Sequence, residues 1–158
     1  MAGELFKLSA GIDMLFVPYK GEGPAIADLI GGQISLMFPN AIAVLPQVRA
    51  GKLRGIAVTA LARVATFPEF PTVAESGLPG FQSEAWYGLL APAGTPHDII
   101  AKLNGEMIRM LSPPEIRERL AAQGLFVNTS TPDQLAALMK AELVKWANVI
   151  KEAGIKLD

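Results

Sequence analysis

The chain contains no cysteine, and this absence excludes disulfide bonds, thiolate metal sites and cysteine nucleophiles. Histidine is almost as scarce, since His97 is the single one in the sequence. One imidazole without thiolates is too small a donor set for a structural zinc site, and Asp98 beside it is typical of a helix start. The sequence therefore predicts neither a metal site nor a bound cofactor.

An excess of charge of one sign is also lacking. Residues 1–82 carry six basic and six acidic side chains, and residues 83–158 carry eight and nine. Neither half is a basic patch, which argues against nucleic acid as a partner. No apolar run is long enough to cross a bilayer, and the N-terminal residues lack the pattern of a signal peptide.

Familiar catalytic motifs are missing as well. The sequence has no Gly-x-Ser-x-Gly elbow, no Walker loop and no Gly-x-Gly-x-x-Gly run. Glu106, Glu115 and Glu118 are spaced as on the solvated face of a helix, not as an acid/base pair. Because 51% of the residues are hydrophobic, the chain is expected to fold around a core, and the absences favour a binding protein over an enzyme.

The most informative stretch runs from Asp13 to Asp28. Its apolar residues 14–17 predict a buried strand that ends at Pro18. A turn over residues 19–23 follows, and Pro24 is suited to the first position of a helix. The free N–H groups of such a helix start can hold an anion, although an ordinary strand–helix connection has the same spacing.

Further alternation predicts an α/β fold. Residues 33–38 and 53–59 have the character of buried strands, and Asn40 is suited to capping the helix between them. Strands and helices that alternate with short connections indicate a mainly parallel sheet flanked by helices. Ligands of such sheets lie beyond the carboxyl ends of the strands, here at Pro18–Gly21, Pro39–Asn40 and Thr59–Ala60.

The last third of the chain is predicted to be helical. Residues 61–80 form a proline- and glycine-rich connection, and residues 81–91 are extended and carry Trp86-Tyr87-Gly88, where a glycine allows a ligand to approach the backbone. Helix starts are predicted at Thr95 and at two capping boxes, Ser112–Glu115 and Thr131–Gln134.

Three segments together resemble one family. Residues 17–25 contain Val-Pro-Tyr-Lys-Gly and Gly-Pro-Ala, residues 45–59 contain Leu-Pro-Gln-Val-Arg-Ala-Gly-Lys-Leu-Arg and Ala-Val-Thr, and residues 70–96 contain Phe-Pro-Thr-Val-Ala-Glu-Ser-Gly and Trp-Tyr-Gly-Leu-Leu-Ala-Pro. In this order they resemble the Bug receptors, the TctC-like extracytoplasmic solute-binding proteins of tripartite tricarboxylate transporters. The resemblance implies a truncated fold of periplasmic-binding-protein (type II) lobes.

The resemblance also implies a site for a small carboxylate. Receptors of this family hold the ligand with backbone amides, short polar side chains and waters. The positions of this chain that match are the following: Pro18, Tyr19, Lys20, Gly21, Asn40, Trp86, Tyr87 and Gly88. Many members have an aspartate before the equivalent of Asn40, whereas this chain has Pro39, so one charge-selective group is missing.

Lobes, location and partners follow from the same resemblance. Residues 1–82 are predicted to form most of lobe two, and residues 83–158 the crossover strand and the C-terminal helical part of lobe one. The resemblance implies a periplasmic location and the membrane components of the transporter as partners. Because a truncated sheet exposes an unpaired edge, a homo-oligomer is expected, with a domain swap through residues 78–92 as one form.

Two other functions fit part of the sequence. A small α/β enzyme could use the same strand-end turns, but it would depend on Lys20, Tyr19 or carboxylates for chemistry. The effector domain of a regulator could have similar lobes, but no pair of DNA-binding helices is recognisable.

Overall fold

Six α-helices form in the part of the chain that the structure, a computed structural model, describes: residues 1–65 and 67–155. None of these helices is both long enough and apolar enough to span a membrane. In chain order they are α1 Ala2–Ala10, α2 Glu22–Ile30, α3 Ala41–Arg49, α4 His97–Leu111, α5 Pro114–Ala121 and α6 Pro132–Glu152.

The chain divides into two compact units. The first unit comprises Met1–Ala85 together with the segment that begins at Asn148, and the second comprises Trp86–Ala147. These two units are not the same as the predicted lobes of a receptor, residues 1–82 and 83–158. The assignment to lobes stays a prediction.

The first unit has an aromatic centre beside α1. The ring of Phe6 lies 5.4 Å from that of Phe38 and 5.9 Å from that of Phe81, the second in an edge-to-face arrangement. Aromatic pairs at these distances stabilise a core beyond the area that they bury. Buried apolar side chains complete the centre: Ala25, Phe67, Val73, Phe81 and Val149.

The predicted parallel sheet is not confirmed, because no strand forms within residues 1–65 and 67–155. The predicted strands at 14–17 and 33–38 make no ladder. A single parallel bridge joins Val58 to Thr72, with the Val58 N–H donating to Pro71 (2.9 Å) and the Val73 N–H donating to Val58 (2.9 Å). An apolar segment becomes a strand only where a second segment pairs with its backbone, and the pattern of one segment cannot supply that partner.

A capping turn fixes the connection after this bridge. The Thr72 N–H donates to the Glu75 carboxylate (2.9 Å), and the Glu75 N–H donates to the Thr72 hydroxyl (2.9 Å). The Arg63 guanidinium donates to the same carboxylate oxygen at 3.0 Å. Thr72 is wholly buried, so its hydroxyl has its partner without help from water.

Glu75 makes the stability of the first unit depend on pH. The Thr72 N–H, and after it the Arg63 guanidinium, lower the pKa of Glu75 below its ordinary value. Since the folded state holds the carboxylate in its charged form, this stabilisation is present above the ordinary glutamate pKa and is lost as the pH falls through the lowered pKa. We expect Glu75→Gln to be less stable than the unchanged chain in urea at pH 7.

The same measurement at pH 3 should show a smaller difference between the two proteins, because the glutamate is then becoming protonated in both states. Glu69→Gln is the matched control, since Glu69 lies in the same connection and accepts no hydrogen bond from any described residue. A loss of stability that is the same at both pH values would contradict the prediction.

Helix α6 in the second unit begins as predicted. The Thr131 N–H donates to Gln134 Oε1 (2.9 Å) and the Gln134 N–H donates to Thr131 Oγ1 (3.2 Å), which confirms the capping box. The box predicted at Ser112 is wrong, because the Ser112 hydroxyl donates to the Ile108 carbonyl (2.6 Å) at the end of α4. A serine between two helices can serve the end of the first as well as the start of the second.

Candidate functional site

The predicted turn leads directly into α2. Gly21 is the N-cap of this helix, with φ 136° and ψ 174°, a conformation that is essentially restricted to glycine. The helix begins at Glu22, so Pro24 is its third residue and not its first as predicted. Because proline has no N–H, α2 offers an anion one donor fewer than a helix start of ordinary sequence.

Tyr19 is tied to α2 by a side-chain hydrogen bond. Its hydroxyl donates to Asp28 Oδ2 at 2.8 Å, which ties the turn to the helix nine residues further along the chain. This hydrogen bond is the main cause of a raised pKa for Tyr19, with burial and the charge of Asp28 adding to it. The phenol therefore stays protonated at neutral pH and keeps its proton directed at Asp28.

Asn40 lies at the N-cap of α3, as predicted, but its side chain makes no capping bond. Its backbone N–H and its Nδ2 both donate to Glu22 Oε1, at 3.0 and 2.8 Å. Glu22 thus brings the turn and Asn40 together. It is not among the residues that the sequence predicts for the site. No local signal could have found it, because the bond joins residues 18 positions apart.

The charged groups of this site are a lysine without an ion-pair partner in the described chain and two carboxylates that accept hydrogen bonds. Lys20 is exposed and makes no ion pair with any residue that the structure describes. Glu22 and Asp28 are half-buried and accept the hydrogen bonds of Asn40 and Tyr19. Pro18 is exposed at the entry to the turn. A ligand carboxylate at this turn would therefore meet the Lys20 ammonium and backbone amides first.

The remaining predicted residues belong to the second unit. The side chain of Tyr87 is 79% exposed and that of Trp86 is also exposed. A Cβ atom on Gly88 would lie 3.3 Å from Trp86 Cζ3 and 3.4 Å from Leu135 Cδ1. Close packing against α6 therefore explains the glycine on that side of the backbone, and a ligand contact for Trp86-Tyr87-Gly88 stays a prediction.

An open groove in the second unit does not collect the predicted residues. Its lining includes His97, Asn104 and Asp133. Asn104 Nδ2 already donates to the Ser130 carbonyl at 2.9 Å. This hydrogen bond fixes the segment that leads into α6. Groups of three or more histidine, aspartate or glutamate side chains that could hold a metal ion are not found among the described residues.

Known proteins that resemble the chain fall in one family. The sequence profile of the tripartite tricarboxylate transporter family receptor, TctC, matches residues 1–155. Protein BugT of Bordetella pertussis is 40% identical over 154 residues, which are 98% of this chain and 47% of that protein. The chain thus spans about half the length of the curated relatives that it matches.

Solved structures agree with the sequence match. A Rhodopseudomonas palustris protein with adipate is 34% identical and superposes with a TM-score of 0.86, over 98% of this chain and 52% of that one. MatC of Rhodopseudomonas palustris with bound malate is 36% identical, with a TM-score of 0.76 over 94% of this chain and 52% of that one. The chain therefore belongs to the tripartite tricarboxylate transporter family of solute-binding receptors, a family of binding proteins and not of enzymes.

Proposed function

We propose that this chain carries ligand-binding elements of a receptor that captures a small carboxylate and delivers it to the membrane components of a tripartite tricarboxylate-type transporter. The observation that carries the proposal is the family match over residues 1–155, with adipate and malate bound in two similar structures. A receptor that feeds a transporter meets its solute on the outer side of the membrane, so the periplasm is the location that this proposal implies.

The geometry of the first unit supports a site at the turn. Gly21 leaves the backbone open, since no atom of the described chain, apart from its two chain neighbours, lies within 4 Å of the place where its Cβ would be. The exposed Lys20 ammonium adds positive charge beside the amides at the start of α2. Asn40 is held next to this turn by Glu22. In this proposal residues 1–82 correspond to most of lobe two, and Trp86-Tyr87-Gly88 contributes from the crossover.

An enzyme at the same turn is the other function to test. It would need a base or a nucleophile, and Tyr19 is a poor one because its pKa is raised and its proton is directed at Asp28. Lys20 is exposed and lacks the apolar surroundings that activate a lysine. The receptor is therefore the better-supported function.

Calorimetric titration of the chain with mono-, di- and tricarboxylates tests the receptor. We expect at least one dicarboxylate to bind with a stoichiometry of one and to raise the melting temperature. Product formation from any member of the panel, followed by NMR in the same samples, would overturn the receptor in favour of the enzyme. Absence of binding across the whole panel would also overturn the proposal for this chain.

Gly21→Val should lower the affinity for the carboxylate and should affect the stability of the fold less. The φ of 136° at Gly21 is costly for a β-branched residue, by about 1–3 kcal/mol, and a shifted turn would move the amides away from the ligand. Titration with the dicarboxylate that binds best measures the effect, and far-UV circular dichroism should hardly change.

Gly32→Val is the matched control for this prediction. Gly32 also has a positive φ, 74°, and open space at its Cβ position, but it lies just beyond the other end of α2. Its valine variant should lose stability and keep the affinity for the ligand. Equal affinity in Gly21→Val and in the unchanged chain would rule out the turn as part of the site.

A further inference from the structure

The two polar side chains of the proposed site direct donors at carboxylates of the protein. Tyr19 has one hydroxyl proton, and it is directed at Asp28 Oδ2, 2.8 Å away. Asn40 gives its backbone N–H and one amide proton to Glu22 Oε1, at 3.0 and 2.8 Å. An ionised carboxylate only accepts hydrogen bonds, so both partners fix which atom of Tyr19 and Asn40 faces them.

This arrangement orients the Asn40 amide. With Nδ2 directed at Glu22, the carbonyl oxygen Oδ1 points away from that carboxylate, in the amide plane and on the opposite side of the Cβ–Cγ bond. Among the described residues no group donates to Asn40 Oδ1 or to the Tyr19 hydroxyl oxygen. Both residues are half-buried, so an acceptor that is left without a donor there carries a cost when a ligand excludes water.

From these contacts we propose that the turn selects a carboxylate which also carries a hydrogen-bond donor, a hydroxyl or an ammonium group, and that Glu22 determines this specificity. The proposal rests on the receptor function proposed above and names its ligand class. The ligand's carboxylate faces Lys20 and the amides at the start of α2, and its donor group faces Asn40 Oδ1, which Glu22 holds at the same end of the helix.

Glu22 acts here as a positioning residue for Asn40. If its carboxylate is removed, the Asn40 side chain is free to rotate and to present Nδ2 instead of Oδ1. An amide that presents its N–H donates to a second ligand carboxylate oxygen as readily as to the oxygen of a ligand hydroxyl. The preference for a donor-bearing ligand should then disappear, whereas a general loss of folding would weaken all ligands alike.

Three four-carbon dicarboxylates test the proposal, because they differ only in the group on the second carbon. Succinate has hydrogen there, malate has a hydroxyl, and aspartate has an ammonium group. Calorimetric titration of the unchanged chain should give malate or aspartate roughly tenfold tighter binding than succinate, the factor expected for one ligand-site hydrogen bond of ordinary strength. The two donor-bearing probes distinguish a hydroxyl from an ammonium site.

Two variants at position 22 isolate the role of the glutamate. Glu22→Ala should bring the affinities for malate and succinate within about threefold of each other, because the Asn40 amide can then turn over. Glu22→Gln keeps an amide oxygen that can accept from Asn40, and it should retain most of the preference. Removal of the charge alone changes the affinity of all dianions together, so the ratio between malate and succinate is the quantity to compare.

A spectroscopic measurement checks the positioning without a ligand. In a nitrogen–proton correlation spectrum, the backbone and side-chain amide signals of Asn40 should move in Glu22→Ala, and those of Gly31 at the far end of α2 should stay in place. Unchanged Asn40 signals would show that the bond to Glu22 does not form in solution and would overturn the proposal.

The outcomes separate the two proposals. Equal affinities for succinate, malate and aspartate in the unchanged chain would overturn the donor-bearing ligand and leave the carboxylate receptor standing. A malate preference that survives in Glu22→Ala would overturn the role of Glu22. Absence of binding for all three probes, together with the rest of the carboxylate panel, would overturn the receptor function and this inference with it.

Discussion

Replacing Gly55 by alanine is expected to lower the free energy of unfolding by about 1–3 kcal/mol, the usual range for an overpacked core. A Cβ atom at this position would lie 2.5 Å from Cε1 and 2.7 Å from Cζ of the Phe70 ring. That ring is held in turn by Phe67, whose centroid is 6.3 Å away and whose side chain is buried. The contact with Phe67 limits movement of the ring in that direction, and urea unfolding followed by fluorescence measures the loss.

Gly3→Ala is the matched control, since it also adds a methyl group in front of a phenylalanine ring. Its Cβ would lie 3.6 Å from Cδ2 of Phe38, an ordinary contact. Because Gly3 is inside α1, alanine there should be neutral or should stabilise the chain by up to about 1 kcal/mol. Combining Gly55→Ala with Phe70→Leu should recover part of the loss, and equal effects at positions 3 and 55 would contradict the packing of Phe70.

The helices of this protein could be predicted because their signals are local. The capping box of Thr131 and Gln134 forms as expected, and α1 ends at Gly11, whose φ of 62° places it in the left-handed region. A further box at Thr72 and Glu75 forms, inside residues 61–80, which are predicted only as a proline- and glycine-rich connection. Its Thr-x-x-Glu spacing is the same local signal as that of the box at Thr131, so the sequence contains the information for this box too.

The sheet could not be predicted from the same kind of signal. Residues 14–17 have the apolar pattern of a buried strand, yet Leu15 is 92% exposed and the segment has no ladder partner in the described chain. A helix satisfies its backbone within itself, whereas a strand depends on a segment that is distant in sequence. Within the described chain only Val58 and Thr72 meet in a bridge. The sequence around either residue gives no sign that the other is its partner.

The contacts around the candidate site could be predicted only in part, and the site itself stays a prediction. The rule that ligands lie at strand ends led to Tyr19 and Asn40, and the structure places both beside α2. The bonds to Asp28 and Glu22 reverse the role of these side chains in part, because they use the Tyr19 hydroxyl proton and one of the two Asn40 amide protons and leave the Tyr19 oxygen and Asn40 Oδ1 as acceptors. That reversal depends on contacts across nine and 18 positions, which composition and spacing do not encode.

The unpaired extended segments are expected to make the chain associate at micromolar concentration. Leu15 is 92% exposed and Ile56 is 65% exposed, both in segments that lie outside every helix. Residues 13–20 make no backbone–backbone hydrogen bond within the described chain, so apolar side chains and free N–H and C=O groups coincide there. Such an edge pairs readily with another copy of itself. We therefore expect light scattering to show a homodimer or a larger oligomer.

Lysine on the exposed edges should suppress this association, because a charged side chain there has to be desolvated when a second strand pairs. Leu15→Lys combined with Ile56→Lys is the test, and Leu143→Lys is the control. Leu143 is 72% exposed as well, but it lies in α6, where the helix satisfies the backbone. Loss of the oligomer in the double variant alone supports edge pairing, whereas equal loss in the control points to unspecific apolar contact. A swap through residues 78–92 would instead leave a stable oligomer in both variants, and a compact monomer of the unchanged chain that binds no apolar dye would contradict all three forms of association.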